Sequence, residues 1–283
     1  MRDQDFDLFA ELLKKTSGLS LGPDKKYLLE TRLTPLALRN GLSGFDALAE
    51  EVRFKRPAKL IDQIVEAMTT NESFFFRDTT PFDILKTQIF PKLREARASQ
   101  KRINIWCAAA STGQEPYSIA MMLAEDAERW AGWDVNILAT DISKEALAKA
   151  QEGVYSQFEV QRGLPVQLML KYFRQDGERW VIKDDIKRRV TFRPFNLLQP
   201  PAELGRFDVV FLRNVLIYFD ATTKSMVFDK VRSTMEKDGA LFLGAAESVL
   251  GVTEQFRAIK GLRGLYVPTE HAHEAALRFA AVG

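Results

Sequence analysis

Apolar positions in the first 68 residues recur at helical spacing: Phe6, Phe9, Leu12 and Leu13 form one stripe, and Leu28, Leu29, Leu33 and Leu36 another. Pro23 or Asp24 can open the second helix, and Asn40-Gly41 can close it. Two shorter helices are expected at 45–51 and 58–68, on either side of the basic run RFKRPAK. No strand pattern appears before residue 103, so residues 1–68 predict a small all-α domain. Residues 69–80, beginning TTNESFFFR, read as a linker that contributes to the site.

Beyond residue 80 strands and helices alternate. Helix 82–97, strand 103–107, helix 116–129, strand 134–140 and helix 143–152 read as successive βα units, which places the strands in parallel. Residues 153–193 interrupt that rhythm. There a polar helix near 164–173 precedes RWVIK and RRVTFRPF, two short strands read as an antiparallel insertion at about 160–193. The apolar run FDVVFL (207–212), a helix at 222–236 and a strand at 240–243 resume it. EQFRAIKGLRGLYVP then predicts a hairpin turning at Lys260-Gly261. The expected architecture is α/β: a doubly wound sheet over 81–268, ended by an antiparallel hairpin, with 269–283 a polar tail.

Composition narrows the chemistry more than the fold. With 46% hydrophobic and 28% charged residues in 283, the chain reads as an ordinary soluble globular protein. It has no apolar run near the ~20 residues of a membrane span, and MRDQDFDLFAELLKK lacks a signal-peptide pattern. Its single cysteine, Cys107, suits a reducing compartment, so a cytoplasmic location is expected. A net charge of +2 gives no argument for nucleic acid. Both histidines, His271 and His273, fall in the tail, so the expected chemistry uses neither an imidazole base nor a metal. Cys107 reads as a small core residue, with no histidine beside it to activate a thiolate.

The junction INIWCAAASTGQEPYSIA (103–120) is the most informative stretch. A strand enters a loop of small residues ending at Gly113, and a helix opens with Glu115 and Pro116 in its first turn. Small side chains let a ligand approach the backbone, and the helix start offers unpaired N–H groups. One glycine is not the GxGxxG fingerprint of dinucleotide enzymes. Asp141 ends the second strand, 28 positions after Gly113, where a carboxylate can accept from ribose hydroxyls; capping the next helix is the plainer reading. Glu115 suits either the helix dipole or a ligand cation. Arg77, after three phenylalanines and near Asn71 and Ser73, suits a carboxylate or a solvated surface. Arg213, Asn214 and Tyr218 follow the fourth strand, and Asn196 is either an adenine contact or a turn residue. Lys25, Lys26, Arg32 and Arg39 belong to a basic stretch of the helical domain, either solvated or a docking face for an acidic helical partner.

In order along the chain, TTNESFFFRD (69–78), WCAAASTGQEPYSIAM (106–121), ATDIS (139–143), FNLL (195–198), FLRNVLIYFD (211–220) and AAES (245–248) resemble the motifs of the CheR family, the chemoreceptor glutamate methyltransferases. The resemblance covers nearly the whole chain. It implies a helical domain, a class I (Rossmann-like) methyltransferase domain with a β-subdomain insertion, and S-adenosylmethionine as cofactor, released as S-adenosylhomocysteine. It implies cofactor contacts from Asn71, Ser73, Arg77, Glu115, Asp141, Asn196, Leu197, Arg213 and Asn214, with Arg77 and Tyr218 nearest the methyl group. The implied reaction esterifies glutamates on the cytoplasmic helical domain of a chemoreceptor, without nucleic acid or membrane insertion. A glutamate carboxylate is already ionised at neutral pH, so no base is needed. Two features depart from the family: the loop Arg174-Gln-Asp-Gly-Glu-Arg179 is short, which counts against binding a receptor tether peptide, and the second helix keeps only Arg32 and Arg39 of an arginine row. A cofactor-binding signalling module without catalysis, and a methyltransferase for another protein or a nucleic acid, are the alternatives.

Overall fold

The computed structural model describes residues 1–272, so most of the expected tail, from residue 273, lies outside the described residues. Four helices, Asp3–Ser17, Lys26–Arg39, Phe45–Phe54 and Ala58–Met68, form the first layer. Their stripes meet as expected: Phe9, Leu13, Leu29, Leu33, Leu48 and Ile64 are completely buried, while Leu12 and Leu28 flank that core half-buried. The linker then enters a helix that runs Thr80–Ile84, widens to a π turn at Leu85–Ile89 and ends at Phe90–Ala96. Pro91, which has no N–H to donate to the preceding turn, sits just past that wide turn.

Among the described residues ten strands follow: β1 Arg102–Ala108, β2 Asp134–Asp141, β3 Val154–Ser156, β4 Phe173–Asp176, β5 Arg179–Ile182, β6 Val190–Pro194, β7 Phe207–Leu212, β8 Met235–Leu243, β9 Phe256–Ala258 and β10 Leu265–Pro268. The main sheet has the order β6-β2-β1-β7-β8-β10-β9, parallel from β6 to β8 and closed by the antiparallel β9–β10 hairpin. Alternation divides its two faces. Ile105, Cys107, Val209, Phe211 and Phe242 pack into one layer with Tyr117 and Ile119, and Trp106, Val210, Leu212, Leu241 and Leu243 into the other with Phe228.

One strand assignment is corrected. RRVTFRPF does not belong to an antiparallel insertion, because Val190–Pro194 pairs in parallel with β2 as the edge of the main sheet. The small antiparallel sheet is β3-β5-β4, and its members come from before and around RWVIK. A short apolar run carries no mark of the strand it will pair with, and parallel pairing across an insertion is non-local. The stretch Arg174–Arg179 is mostly strand, turning at Gly177-Glu178.

The two layers are tied beside the helix Ala221–Thr234. Asp220 caps that helix by accepting from the Thr223 N–H at 2.8 Å and pairs with Lys14 of the first helix at 2.7 Å. The Lys14 ammonium, then the Thr223 N–H, hold its carboxyl down to about 2. A carboxyl lowered on folding contributes stability that is present above its ordinary value and lost as the pH falls towards 2. Asp220→Ala is therefore expected to cost about 1 kcal/mol at neutral pH, mostly through the cap, since a half-exposed ion pair adds little. Urea midpoints at pH 7 and pH 3 check this: the variant's deficit shrinks in acid, and an equal deficit at both would rule the mechanism out.

Candidate active site

Strand register levels the carboxyl edge of the sheet. Ala108 lies opposite Thr140 and Leu212, Thr140 opposite Arg193, and Leu212 opposite Leu243. The residues that follow each strand therefore leave the sheet side by side. The chain winds from β1 to β2 on one side, whereas β7 lies on the other, so the crevice opens where the winding reverses. A cleft of about 1050 Å³, mouth included, occupies it. Ser17, Leu19, Val65 and Met68 of the helical domain roof it, and Thr69 to Ser73 edge it. Asn71, Ser73, Arg77, Glu115, Asp141, Asn196, Leu197, Arg213, Asn214 and Tyr218 all line this one cleft.

The small-residue loop is built for close approach. Ala109 (φ 61°) and Ser111 (φ 52°) are left-handed, and Gly113 (φ 91°) starts the helix Gln114–Glu125. A Cβ on Gly113 would lie 2.8 Å from that of Ala150, so the position is closed to a side chain. Asp141 accepts from the Ser111 N–H at 2.7 Å on one oxygen and the Ser143 N–H at 2.8 Å on the other. Capping of the helix Lys144–Glu152 falls to Ser143, whose hydroxyl accepts from the Ala146 N–H. Asp141 is thus free of the cap and stands in the cleft lining, where a carboxylate can still accept from a diol. Burial pushes its carboxyl up, and the backbone N–H groups of Ser143 and Ser111 oppose that.

Arg213 is the hub of the opposite wall. Its buried guanidinium donates to Glu115 Oε2 at 2.7 Å, to Asp78 Oδ2 at 2.8 Å and to the Arg77 carbonyl at 2.7 Å. Burial pushes the Glu115 carboxyl up, with Arg213 pulling it back. Glu115 thus reaches the cleft already paired, with Oε1 left for a second cation. Arg77 donates to the Glu72 carbonyl at 3.0 Å and has no carboxylate partner among the described residues. Cys107 is fully buried and its thiol is pushed well up by desolvation, as a core residue's would be.

Two carboxylates shape the site without lining it, and sequence reasoning passed over both. Glu247 accepts four backbone N–H bonds at 2.7–2.9 Å, from Asn214, Val215, Leu216 and Gly244. It holds the turn that carries Asn214 (φ 59°) and Tyr218. The available signal was its place in AAES, just past the end of a strand. Glu66, from the roof, accepts from the Ser143 hydroxyl and from the Lys144 N–H at 2.9 Å, at the start of a helix where a carboxylate is favoured.

Two other residues serve the roof. The Asn196 side chain donates to the Thr16 carbonyl at 2.6 Å and accepts from the Leu198 N–H at 2.9 Å, the behaviour of a turn residue tying two domains. Arg32 donates to the carbonyls of Met68 (2.9 Å) and Thr69 (3.1 Å) and to Thr70 Oγ1 (3.2 Å), so it clamps the linker. Lys26 pairs with Asp3 at 2.5 Å, whereas Lys25 and Arg39 are exposed.

Comparison with known proteins gives matches along both parts of the chain. Residues 71–265 match the family model described as CheR methyltransferase, SAM binding domain, and residues 4–69 match the CheR methyltransferase all-alpha domain. Chemotaxis protein methyltransferase 1 of Pseudomonas aeruginosa is 40% identical over 265 residues, covering 92% of this chain and 96% of that protein. The chemotaxis protein methyltransferase of Vibrio parahaemolyticus is 41% identical over 261 residues, 91% and 94% of the two chains. That of Borreliella burgdorferi is 35% identical over 239 residues, 83% and 84%.

Proposed function

This chain belongs to the CheR methyltransferase family, and from that premise we propose that it esterifies glutamate side chains on the signalling helices of a chemoreceptor. It is a methyltransferase of the class I fold, and S-adenosylmethionine is its cofactor. The residues fit that cofactor: Asp141 has lone pairs for ribose hydroxyls, Glu115 Oε1 suits an ammonium, and Phe195, Leu197 and Ile142 line an apolar part of the cleft. When bound, the cofactor supplies a methyl group already activated on a sulfonium.

The observation that carries the reading is the charge on Arg77. Of the two arginines lining the cleft, Arg213 is matched by Glu115 and Asp78, which leaves Arg77 as the cation for an anionic group. A carboxylate acceptor suits a cleft lined, among the described residues, by no histidine or lysine, because it has no proton to lose. Arg77 orients a carboxylate, Tyr218 lines the transfer path, and the roof excludes water. Lys25 and Arg39 are what remains of a basic docking face, and the tight Gly177-Glu178 turn supports a reading without a tether peptide. No helix among the described residues is long and apolar enough to cross a membrane.

Labelled methyl from S-adenosylmethionine is expected to enter receptor-containing membranes and to leave as volatile methanol in mild alkali. Label that resists alkali would move the acceptor to an amine or a nucleic acid. Tight cofactor binding with no transfer would favour the non-catalytic module.

A further inference from the structure

The inserted subdomain reaches the site through the linker. Phe75 is completely buried, with its ring centroid 5.1 Å from that of Tyr155 on β3 and 5.5 Å from that of Phe173 on β4, both edge-on. The Tyr155 hydroxyl donates to the Thr112 carbonyl in the small-residue loop at 2.8 Å. Gly163 (φ 83°) comes so close that a Cβ there would lie 2.1 Å from the Phe75 carbonyl oxygen. The insertion is thus seated on both the small-residue loop and the segment that carries Arg77.

Arg162 stands at that contact. Its guanidinium lies 4.3 Å from the centroid of the Phe74 ring and donates to Glu72 Oε1 at 2.7 Å. Arg77 lies 5.3 Å from the same ring and donates to the carbonyl of the same Glu72 at 3.0 Å. Two arginines, one lining the cleft and one outside it, rest on one ring and one residue. We infer that Arg162 is a positioning residue for Arg77, acting through Glu72 and Phe74. By clamping both, it restricts the rotamers of a long side chain that has no carboxylate of its own to hold it. The ion pair and the cation–π contact are half-exposed, so the effect is moderate. The inference rests on the proposed function, and within it on Arg77 contacting the bound cofactor as well as orienting the acceptor carboxylate.

The test is a double-mutant cycle read as S-adenosylmethionine affinity by calorimetry on the full chain. Arg162→Ala is expected to weaken binding about three- to tenfold, Arg77→Ala more, and the double variant no further than Arg77→Ala alone. Arg162→Lys keeps the charge but not the planar stacking, and falls between wild type and Arg162→Ala. Additive losses would show that Arg162 acts independently of Arg77 and overturn the inference. So would an unchanged affinity in Arg162→Ala, or a loss there with none in Arg77→Ala. Because affinity is measured without an acceptor, an error about glutamate leaves this result readable.

Discussion

Arg77→Ala is expected to lower methyl transfer by at least about 100-fold while leaving the fold intact, the loss typical when a reacting group is no longer oriented. The side chain is half-buried, and its partners are one carbonyl and one ring face, so its removal strands no buried charge. Stability should therefore change by no more than about 0.5 kcal/mol. Lysine in its place keeps the charge without the planar fork, and should recover only part of the rate. Initial rates at saturating cofactor, beside a thermal melt, check both halves. An unchanged rate would remove Arg77 from the chemistry.

Arg213→Met should damage rate and stability together. It leaves Glu115 buried without its cation, and frees Asp78 and the Arg77 carbonyl. Breaking one side of a buried pair costs about 3–5 kcal/mol, which corresponds to a fall of roughly 10 °C in apparent melting temperature for a chain of this size. Glu115→Gln is milder, since an amide oxygen can still accept from Arg213. Its signature is the pH profile. Burial holds the Glu115 carboxyl above the ordinary glutamate value, so as pH falls it takes up a proton before exposed carboxylates do. The acid limb of the transfer rate is therefore expected above the usual carboxylate range. Replacing Glu115 should remove its part of that limb and leave the part due to Asp141, which burial also raises. A profile identical to wild type would mean that Glu115 is not titrating in the working site.

Much of this was readable beforehand because it is local. Helical stripes such as Phe6, Phe9 and Leu13, the run FDVVFL, and small residues followed by Glu115-Pro116 each express a period or a turn within a dozen residues. The motifs themselves named residues that now line one cleft. What stayed hidden is pairing over long sequence distances. Val190–Pro194 reads like any short apolar strand, and only the free edge of β2 decides that it joins the main sheet in parallel. Arg32 looks like a surface cation until the linker carbonyls come within its reach, and nothing near Asn196 in sequence announces that its amide donates to Thr16, 180 positions away.

The amino-acid order by itself determined most element types, the succession of an all-α and an α/β domain, and the residue types at the strand ends, because propensity and hydrophobic period act over short separations; the short strands β3 and β4 were not among them. Tertiary structure alone decided which charges cancel. Arg213 is matched by Glu115, 98 positions away, and Glu247 closes its turn from 31 to 33 positions away. Electrostatic partnership depends on distance in space and on burial, and neither is set until the chain has packed.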